Sequence, residues 1–256
     1  MFFALVRNEL MKLHSKRQTR YFYLFLIIVL LGAGFVFRFG APETAARIDQ
    51  MDFASNMYAG LSLFVTVFAL AIGAQSVSEE YRDGTIKQLL IRPSSRTSIL
   101  LSKFVAVLLV LLAADALIVA GGLLIGTGLF GIQADTPPAL VLIKTAVYDL
   151  PRMVFLTSLS FFLGVALRGI GLALSVSLIA YFVGGLVSMM VSKYRWSKLL
   201  IFRHTDLAVY DPDPLVSGGG MPPAGFTLGL SLTVIAAYIA LLLGLSMLVF
   251  AKRDVR

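Results

Sequence analysis

Charged and hydroxyl-bearing side chains are concentrated in one stretch between two long apolar runs. This polar island reads Glu79-Glu80-Tyr81-Arg82-Asp83-Gly84-Thr85-Ile86-Lys87 and is followed by Arg92-Pro93-Ser94-Ser95-Arg96. Hydrocarbon does not accommodate so many charged groups, so we expect the island to lie at a membrane face. Gly84 permits a break or a close approach of another backbone there, and Leu90 belongs to an apolar face that ends at Pro93. The pattern favours a short amphipathic segment that fits a groove on another protein; the alternative is a solvated loop that only fixes topology.

The elements that must position this island are long apolar runs. The chain has 256 residues, of which 58% are hydrophobic and 14% charged, whereas soluble domains carry about 25% charge. A membrane-spanning helix needs roughly 20 apolar residues. We therefore predict an all-α, polytopic membrane protein with a single six-helix transmembrane domain over residues 21–256. The predicted spans are Tyr21–Phe37, Phe53–Val77, Ile99–Ile125, Asp149–Leu167, Gly169–Val191 and Ala224–Ala251.

The sequence lacks the residues and motifs that several kinds of binding site and active site require. The chain has no cysteine and two histidines, which leaves neither a disulfide framework nor a zinc cluster. It lacks a Gly-Lys dipeptide, and therefore a P-loop, and it lacks a Gly-x-Ser-x-Gly elbow. We therefore predict no catalytic residues, no metal and no bound cofactor, so the chain is not expected to be an enzyme.

Lysine and arginine are more frequent in the segments that would share a side with the N-terminus. This bias predicts that both termini and the island, as part of a coupling segment over residues 78–98, lie in the cytoplasm of a bacterial-type plasma membrane. The net charge of +8 is interpreted as topology and contact with lipid headgroups, not as nucleic-acid binding.

Residues 1–20 are predicted to form a cytoplasmic interfacial helix. Apolar side chains recur at helical spacing, and polar ones lie off that face; the apolar set is Phe2, Val6, Leu10 and Leu13, and the polar set includes Arg7, Glu9 and Lys12. The alternative is a charged tail without fixed structure. The apolar run that follows is longer than the core of a cleaved signal peptide, which favours an uncleaved first span.

Two segments are predicted as outer loops, residues 127–148 and residues 192–223. Asp149-Leu150-Pro151 is typical of a helix start, with aspartate as the cap and proline in the first turn. The second loop carries aromatic side chains among cations, as in a membrane-interface belt; they are Tyr194, Trp196, Phe202 and Tyr210.

Asp115 is an acidic residue deep inside a predicted span. A charge there is unfavourable, so the carboxyl group should face a cavity or a partner helix, or be protonated. It is either a contact for substrate or a coupling proton, or it makes a hydrogen bond between helices. Small residues four apart predict close helix packing instead of ligand sites; they are Gly122 and Gly126, then Ala180, Gly184 and Ser188, then Ala236, Ala240 and Gly244.

Two motifs resemble those of a known transporter family. The island reads Glu80-Tyr81-Arg82-x-Gly84-Thr85-Ile86-Lys87-x-Leu89-Leu90-x-x-Pro93-x-Ser95-Arg96, with Lys103 after it, and the N-terminus reads Asn8-Glu9-Leu10-x-Lys12-Leu13. These patterns, and six spans in about 250 residues with the island between spans two and three, resemble type-2 ABC exporter permeases. The motifs cover about 35 residues, and the layout covers the whole chain.

The resemblance implies partners and a function. A separate ABC ATP-binding subunit, carrying ATP and Mg, would dock on Glu79–Pro93, and the permease would pair with a second copy or a sister permease. Within this layout the chain is most similar to permeases that export antimicrobial or toxin peptides or confer immunity to them. Multidrug or ion efflux is the alternative within the same class, and a passive channel or membrane scaffold is the alternative outside it.

Overall fold

The structure consists of helices and the turns that join them. It is a computed structural model that describes residues 2–40, 43, 48–82, 84, 95–133 and 137–252. The described residues contain no strand, which confirms the predicted all-α class. The long helices are α1 (Phe2–Ser15), α2 (Arg17–Phe35), α3 (Gln50–Arg82), α4 (Arg96–Phe130), α5 (Leu140–Leu167), α6 (Ile170–Met190) and α7 (Leu228–Lys252). Short helical turns lie at Val36–Gly40, Arg195–Leu199, Ile201–Arg203, Ala208–Tyr210 and Pro214–Ser217.

Six helices among the described residues, α2 to α7, are long and apolar enough to cross a membrane. This confirms the predicted number of spans. Helices α3 and α4 have 33 and 35 residues; at 1.5 Å per residue they are much longer than the roughly 30 Å of bilayer hydrocarbon. Their ends therefore extend beyond the hydrocarbon and carry polar side chains out to the faces of the bilayer.

The N-terminal helix α1 is separate from the first span. The backbone is extended at Lys16, and α2 begins at Arg17, so the predicted boundary at residue 20 lies four residues too late. Val6 and Leu13 are buried, as the helical spacing predicted, but Glu9 is buried with them. Arg7 lies on the exposed face.

Both ends of the described chain lie at the same end of the helix bundle, which we call the terminal end. There α1 packs against α4, and Arg96 at the start of α4 donates a hydrogen bond to the Ala251 carbonyl near the end of α7, at 3.1 Å. The guanidinium of Arg168, just after α5, lies 4.7 Å from the ring centre of Tyr81. The opposite end, the loop end, carries residues 131–133, 137–139 and 191–227 of the described chain.

Helix α3 is the centre of the bundle, because it packs against both α4 and α5 over much of its length. Small residues allow the close approach: a side chain on Gly122 would lie 3.3 Å from the Ala54 backbone, and one on Gly126 would lie 2.8 Å from the Gln50 carbonyl oxygen. The prediction that Gly122 and Gly126 form a packing face is confirmed.

Of the other two predicted packing faces, the one on α6 is buried and the one on α7 is exposed. On α6, Gly184 and Ser188 are buried, and the ring of Phe202 covers Gly184. On α7, Ala236 and Ala240 are exposed, so the predicted seam is not formed within the described chain. The buried face of α7 is instead formed by larger side chains, including Ile235 and Leu242.

The predicted helix start at Asp149 is wrong, because α5 begins at Leu140 and continues through Pro151. Pro151 lacks the N–H that would bond the carbonyl four residues earlier, but spanning helices tolerate this loss where neighbouring groups compensate. Asp149 does not cap the helix; it accepts from Arg152 at 2.6 Å within the same turn. Of the loop predicted over residues 127–148, residues 127–130 belong to α4 and residues 140–148 belong to α5.

The long segment between α6 and α7 is anchored by buried polar side chains. His204 is fully buried, and its Nε2 lies 2.7 Å from the Lys198 carbonyl oxygen, which can only accept, so Nε2 carries the hydrogen. Its Nδ1 accepts from the Ser231 hydroxyl of α7 at 2.9 Å. Of the four aromatic residues predicted as a belt, Phe202 and Tyr210 pack inward, whereas Tyr194 and Trp196 are exposed.

Asp211 ties this segment to α5. Its carboxylate accepts from the Asp213 backbone N–H at 2.9 Å and from the Tyr148 hydroxyl at 3.1 Å, and Lys144 lies 3.3 Å away. The Asp213 N–H is the main reason that the pKa of Asp211 is lowered; burial opposes this shift, and Tyr148 and Lys144 add to it. A lowered pKa means that the folded chain binds this proton less tightly than the unfolded chain does, so the anchor stabilises the fold at neutral pH and loses its effect in acid.

We therefore expect Asp211→Asn to lower the thermal unfolding temperature at about pH 7, and this difference from the unsubstituted protein to shrink steadily as the pH falls below the usual aspartate pKa of about 3.9 and through the lowered pKa of the folded state. Fluorescence of Trp196, the single tryptophan, reports the transition. Asp206→Asn, at an exposed position nearby, serves as the control and should follow the unsubstituted protein throughout. A difference between Asp211→Asn and the unsubstituted protein that stays constant with pH would contradict the assignment.

Candidate functional site

Six charged side chains meet at the terminal end, where α1 crosses the end of α3 and the start of α4. We call this group the charge cluster; its members are Glu9, Lys12, Lys16, Glu79, Glu80 and Lys103. With three acids and three bases, it carries no formal net charge. That balance matters because a buried charge is stable only when it is paired.

Lys103 is the centre of the charge cluster. Its side chain is 2% exposed, and its ammonium donates to Glu9 at 2.8 Å and to Glu80 at 2.5 Å. Glu9 belongs to α1, Glu80 to α3 and Lys103 to α4, so one ammonium joins three helices. At low effective dielectric such contacts are strong, and the loss of one partner leaves the others uncompensated.

A second layer of the charge cluster lies closer to solvent. Lys12 donates to the same Glu80 oxygen at 2.8 Å, and Lys16 donates to Glu79. Partial burial of the Lys12 ammonium lowers its pKa, but the hydrogen bond to Glu80 and the negative charges of Glu80, Glu9 and Glu79 outweigh that effect and raise it overall. Lys12 therefore remains charged across the physiological pH range, and α1 stays bound to α3.

The structure locates part of the polar island that the sequence singled out. Glu79 and Glu80 lie in the charge cluster, the Tyr81 ring lies beside Arg168, and Arg82 is exposed at the end of α3. Gly84 is exposed and left-handed, with φ of +67°, which confirms a break in the chain there. The other members of the predicted docking set, Asp83, Thr85, Ile86, Lys87 and Leu90, lie outside the described residues.

Two features of the site went unrecognised in the sequence. Glu80 was assigned to contact with a partner, but its carboxylate is only 4% exposed and is held by lysines of its own chain. Lys103 was given no role beyond topology and a place in the family pattern. The position of Lys103 inside an apolar run could have indicated a buried ion pair, because an ionisable residue in such a run needs a partner.

Asp115 lies far from the charge cluster, near the middle of α4. Its side chain is 6% exposed, and it faces the Tyr58 hydroxyl of α3. The Tyr58 hydroxyl is placed to donate to the Asp115 carboxyl group across the two helices, although the Asp115 Oδ1 itself has no hydrogen-bond partner among the described residues. The hydrogen bond between helices and the contact for substrate or a coupling proton both stay predictions.

Comparison with known proteins places the whole chain in one family. A family model described as "Protein of unknown function (DUF2705)" matches residues 10–256. The chain is 29% identical over 215 residues to "Uncharacterized protein YhcI" of Bacillus subtilis (strain 168); the match covers 77% of this chain and 66% of YhcI, just under two thirds of that relative's length.

A second relative carries a description of its location. The chain is 27% identical over 201 residues to "Uncharacterized membrane protein YdbK" of Bacillus subtilis (strain 168), a match that covers 77% of this chain and 80% of YdbK. Together with the six candidate spans, this likeness identifies a multi-pass membrane protein. The match to the family model over residues 10–256 establishes that the chain belongs to the DUF2705 family.

Proposed function

We propose that this chain is the transmembrane permease subunit of an ATP-driven exporter of the type-2 ABC class. Its substrate would be amphipathic or hydrophobic, with a toxin or antimicrobial peptide favoured. The observation that carries the proposal is the charge cluster, which ties α1 and α4 to the end of α3 immediately before the segment that resembles the family's docking site.

The charge cluster supports this proposal mechanically. A force applied to the chain after Arg82 reaches α3 directly, and Glu80 passes it to α4 through Lys103 and to α1 through Lys12. Because these side chains are held by their own chain, they would transmit movement, and the ATP-binding subunit would contact residues 82–93. Buried ion pairs suit this role, since they fix geometry more than they add stability.

The proposal assigns ATP and Mg to the partner subunit. It also calls for a second permease, either another copy of this chain or a sister permease, and for surrounding lipid. The exposure of two spans supports such pairing: only 17% of the central window of α2 and of α6 is buried within the chain, against 50% for α3 and α5. Both termini and the charge cluster would lie in the cytoplasm.

The test uses two glycines with positive φ in open surroundings. Gly84 and Gly218 have φ of +67° and +60°, and neither has an atom within 4 Å of the place where a side chain would begin. They lie at opposite ends of the bundle, because Gly84 follows α3 and Gly218 lies between α6 and α7. Valine at either position therefore introduces backbone strain without a steric clash, and only Gly84→Val introduces it beside the proposed docking segment.

The tagged full-length chain is isolated from its native membrane in mild detergent, and the Mg-ATP hydrolysis that accompanies it is measured. We expect hydrolysis to co-purify with the chain and to fall by roughly tenfold in Gly84→Val, because a left-handed valine is unfavourable by about 1–2 kcal/mol. Gly218→Val should retain the activity. An isolate free of any ATPase, as a passive channel or scaffold would give, or equal losses in the two variants, would overturn the proposal.

A further inference from the structure

A lipid-facing groove runs between α4 and α5, with Asp115 at its polar end. It has a volume of about 390 Å³, and its walls are apolar side chains including Leu112, Val119, Ile143 and Val147. The groove exists because α3 packs against both neighbours, whereas α4 and α5 contact each other much less. We propose that this groove, with the Asp115 carboxylate at its end, binds an amphiphilic monovalent cation, a primary ammonium on an apolar chain.

The unfilled hydrogen-bonding capacity of Asp115 is the first support for this proposal. Its side chain is only 6% exposed, and its Oδ1 has no hydrogen-bond partner among the described residues. Tyr58 faces the same carboxyl group but lines a different cavity, and its single O–H can satisfy only part of a carboxylate's capacity. Buried polar groups are almost always hydrogen-bonded, so an oxygen left without a partner at the end of a groove indicates a group supplied from outside.

The local charge specifies the sign of that group. The neighbouring carboxylate of Asp149 is already paired with Arg152 at 2.6 Å, and Lys144 is paired with Asp211. Asp115 therefore lacks a cationic partner among the described residues. An ammonium, which has three donors and one positive charge, compensates Asp115 and supplies the donor that Oδ1 lacks.

The groove specifies the rest of the ligand. A volume of 390 Å³ holds roughly a dozen non-hydrogen atoms at about 30 Å³ each. Decylamine, with one ammonium and a ten-carbon chain, is about that size. An anionic amphiphile would meet an unpaired carboxylate, and an uncharged one would leave Asp115 unsatisfied, so both should bind less well. The site lies within one chain and is independent of any ATP-binding partner.

The experiment uses the full chain in nanodiscs of phosphatidylcholine, with a photoreactive diazirine analogue of decylamine as the probe. Labelled peptides are mapped, and labelling is competed with decylamine or with decanol, which has the same chain length and no charge. We expect labels on residues 112–119 and 143–150, and competition by decylamine at concentrations at least roughly tenfold lower than decanol requires, as a charged hydrogen bond implies.

Asp115→Asn keeps the shape of the side chain and removes its charge, so labelling should fall at least roughly tenfold. Asp52→Asn, at an exposed position of α3, is the matched control and should label normally. Equal competition by decanol, labels confined to other helices, or unchanged labelling of Asp115→Asn would each overturn the proposal. If Asp115→Asn does not fold, mapping and competition on the unsubstituted chain decide the outcome.

Discussion

Lys103→Met is expected to destabilise the protein by about 3–5 kcal/mol, the usual effect of removing one partner from a buried ion pair. Methionine fills a similar volume but leaves the Glu9 and Glu80 carboxylates without their buried cation. Lys12 still reaches Glu80 from the solvent side, but no other described lysine reaches Glu9. The measurement is the free energy of unfolding in mixed micelles, from the loss of helical circular dichroism as denaturing detergent is added.

Three variants separate the buried charge from other effects of the substitution. Lys252→Met, at an exposed lysine near the same end of the bundle, should change stability by less than about 0.5 kcal/mol. Adding Glu9→Gln to Lys103→Met should recover part of the loss, because one lone carboxylate is then neutral. Lys103→Arg should retain more stability than Lys103→Met. A Lys103→Met protein as stable as Lys252→Met would mean that the charge cluster does not hold the three helices.

The sequence predicted the number and order of the spans because bilayer thickness imposes a length on each apolar run. A run such as Ile99–Ile125 has no alternative to a spanning helix, since hydrocarbon cannot satisfy any other backbone. The position of Gly84 at a break after α3 was also predictable, because glycine adopts left-handed conformations that other residues avoid. The bilayer limits the length of each span, and glycine limits the backbone at one position. Both effects can be recognised from a single segment of the sequence.

The start of α5 was not predictable, because the deciding contacts are non-local. Asp149-Leu150-Pro151 satisfies the local rules for a helix start, yet nine residues before it are helical as well. Lys144, which interrupts the apolar run, is paired with Asp211, 67 residues further along the chain. No pattern within the run shows that its one cation has a partner in a distant loop.

The same limit applies to the candidate site. The polar island identified Glu80 as unusual, but its partners Lys12 and Lys103 are 68 and 23 residues away. A pattern shows which side chains are charged; only the packing of α1 across α3 and α4 shows which of them meet. Glu80 was therefore assigned to an external contact, whereas the fold uses it as an internal one.

A second large effect is expected at the crossing of α3 and α5, where Gly164→Val should destabilise the protein by about 3 kcal/mol, the upper part of the usual range for overpacking. A side chain beginning at Gly164 would lie 2.6 Å from the Ala74 carbonyl oxygen, a backbone atom that cannot rotate away. Separation of the helices would also stretch the 3.0 Å hydrogen bond from Ser78 to the Gly164 carbonyl. The same detergent titration measures the loss.

Gly185→Val is the matched control, because Gly185 also lies inside a spanning helix but has no atom within 4 Å of a new side chain. Valine is a slightly better helix former than glycine, so this variant should be neutral or gain a few tenths of a kcal/mol. The difference between the two variants therefore isolates the contact of α3 with α5 from helix propensity. Equal stability of Gly164→Val and Gly185→Val would mean that the backbones of α3 and α5 do not approach each other at Ala74. In that case α3 would not be the central helix of the bundle, and its packing against α5 would not position Glu80 in the charge cluster.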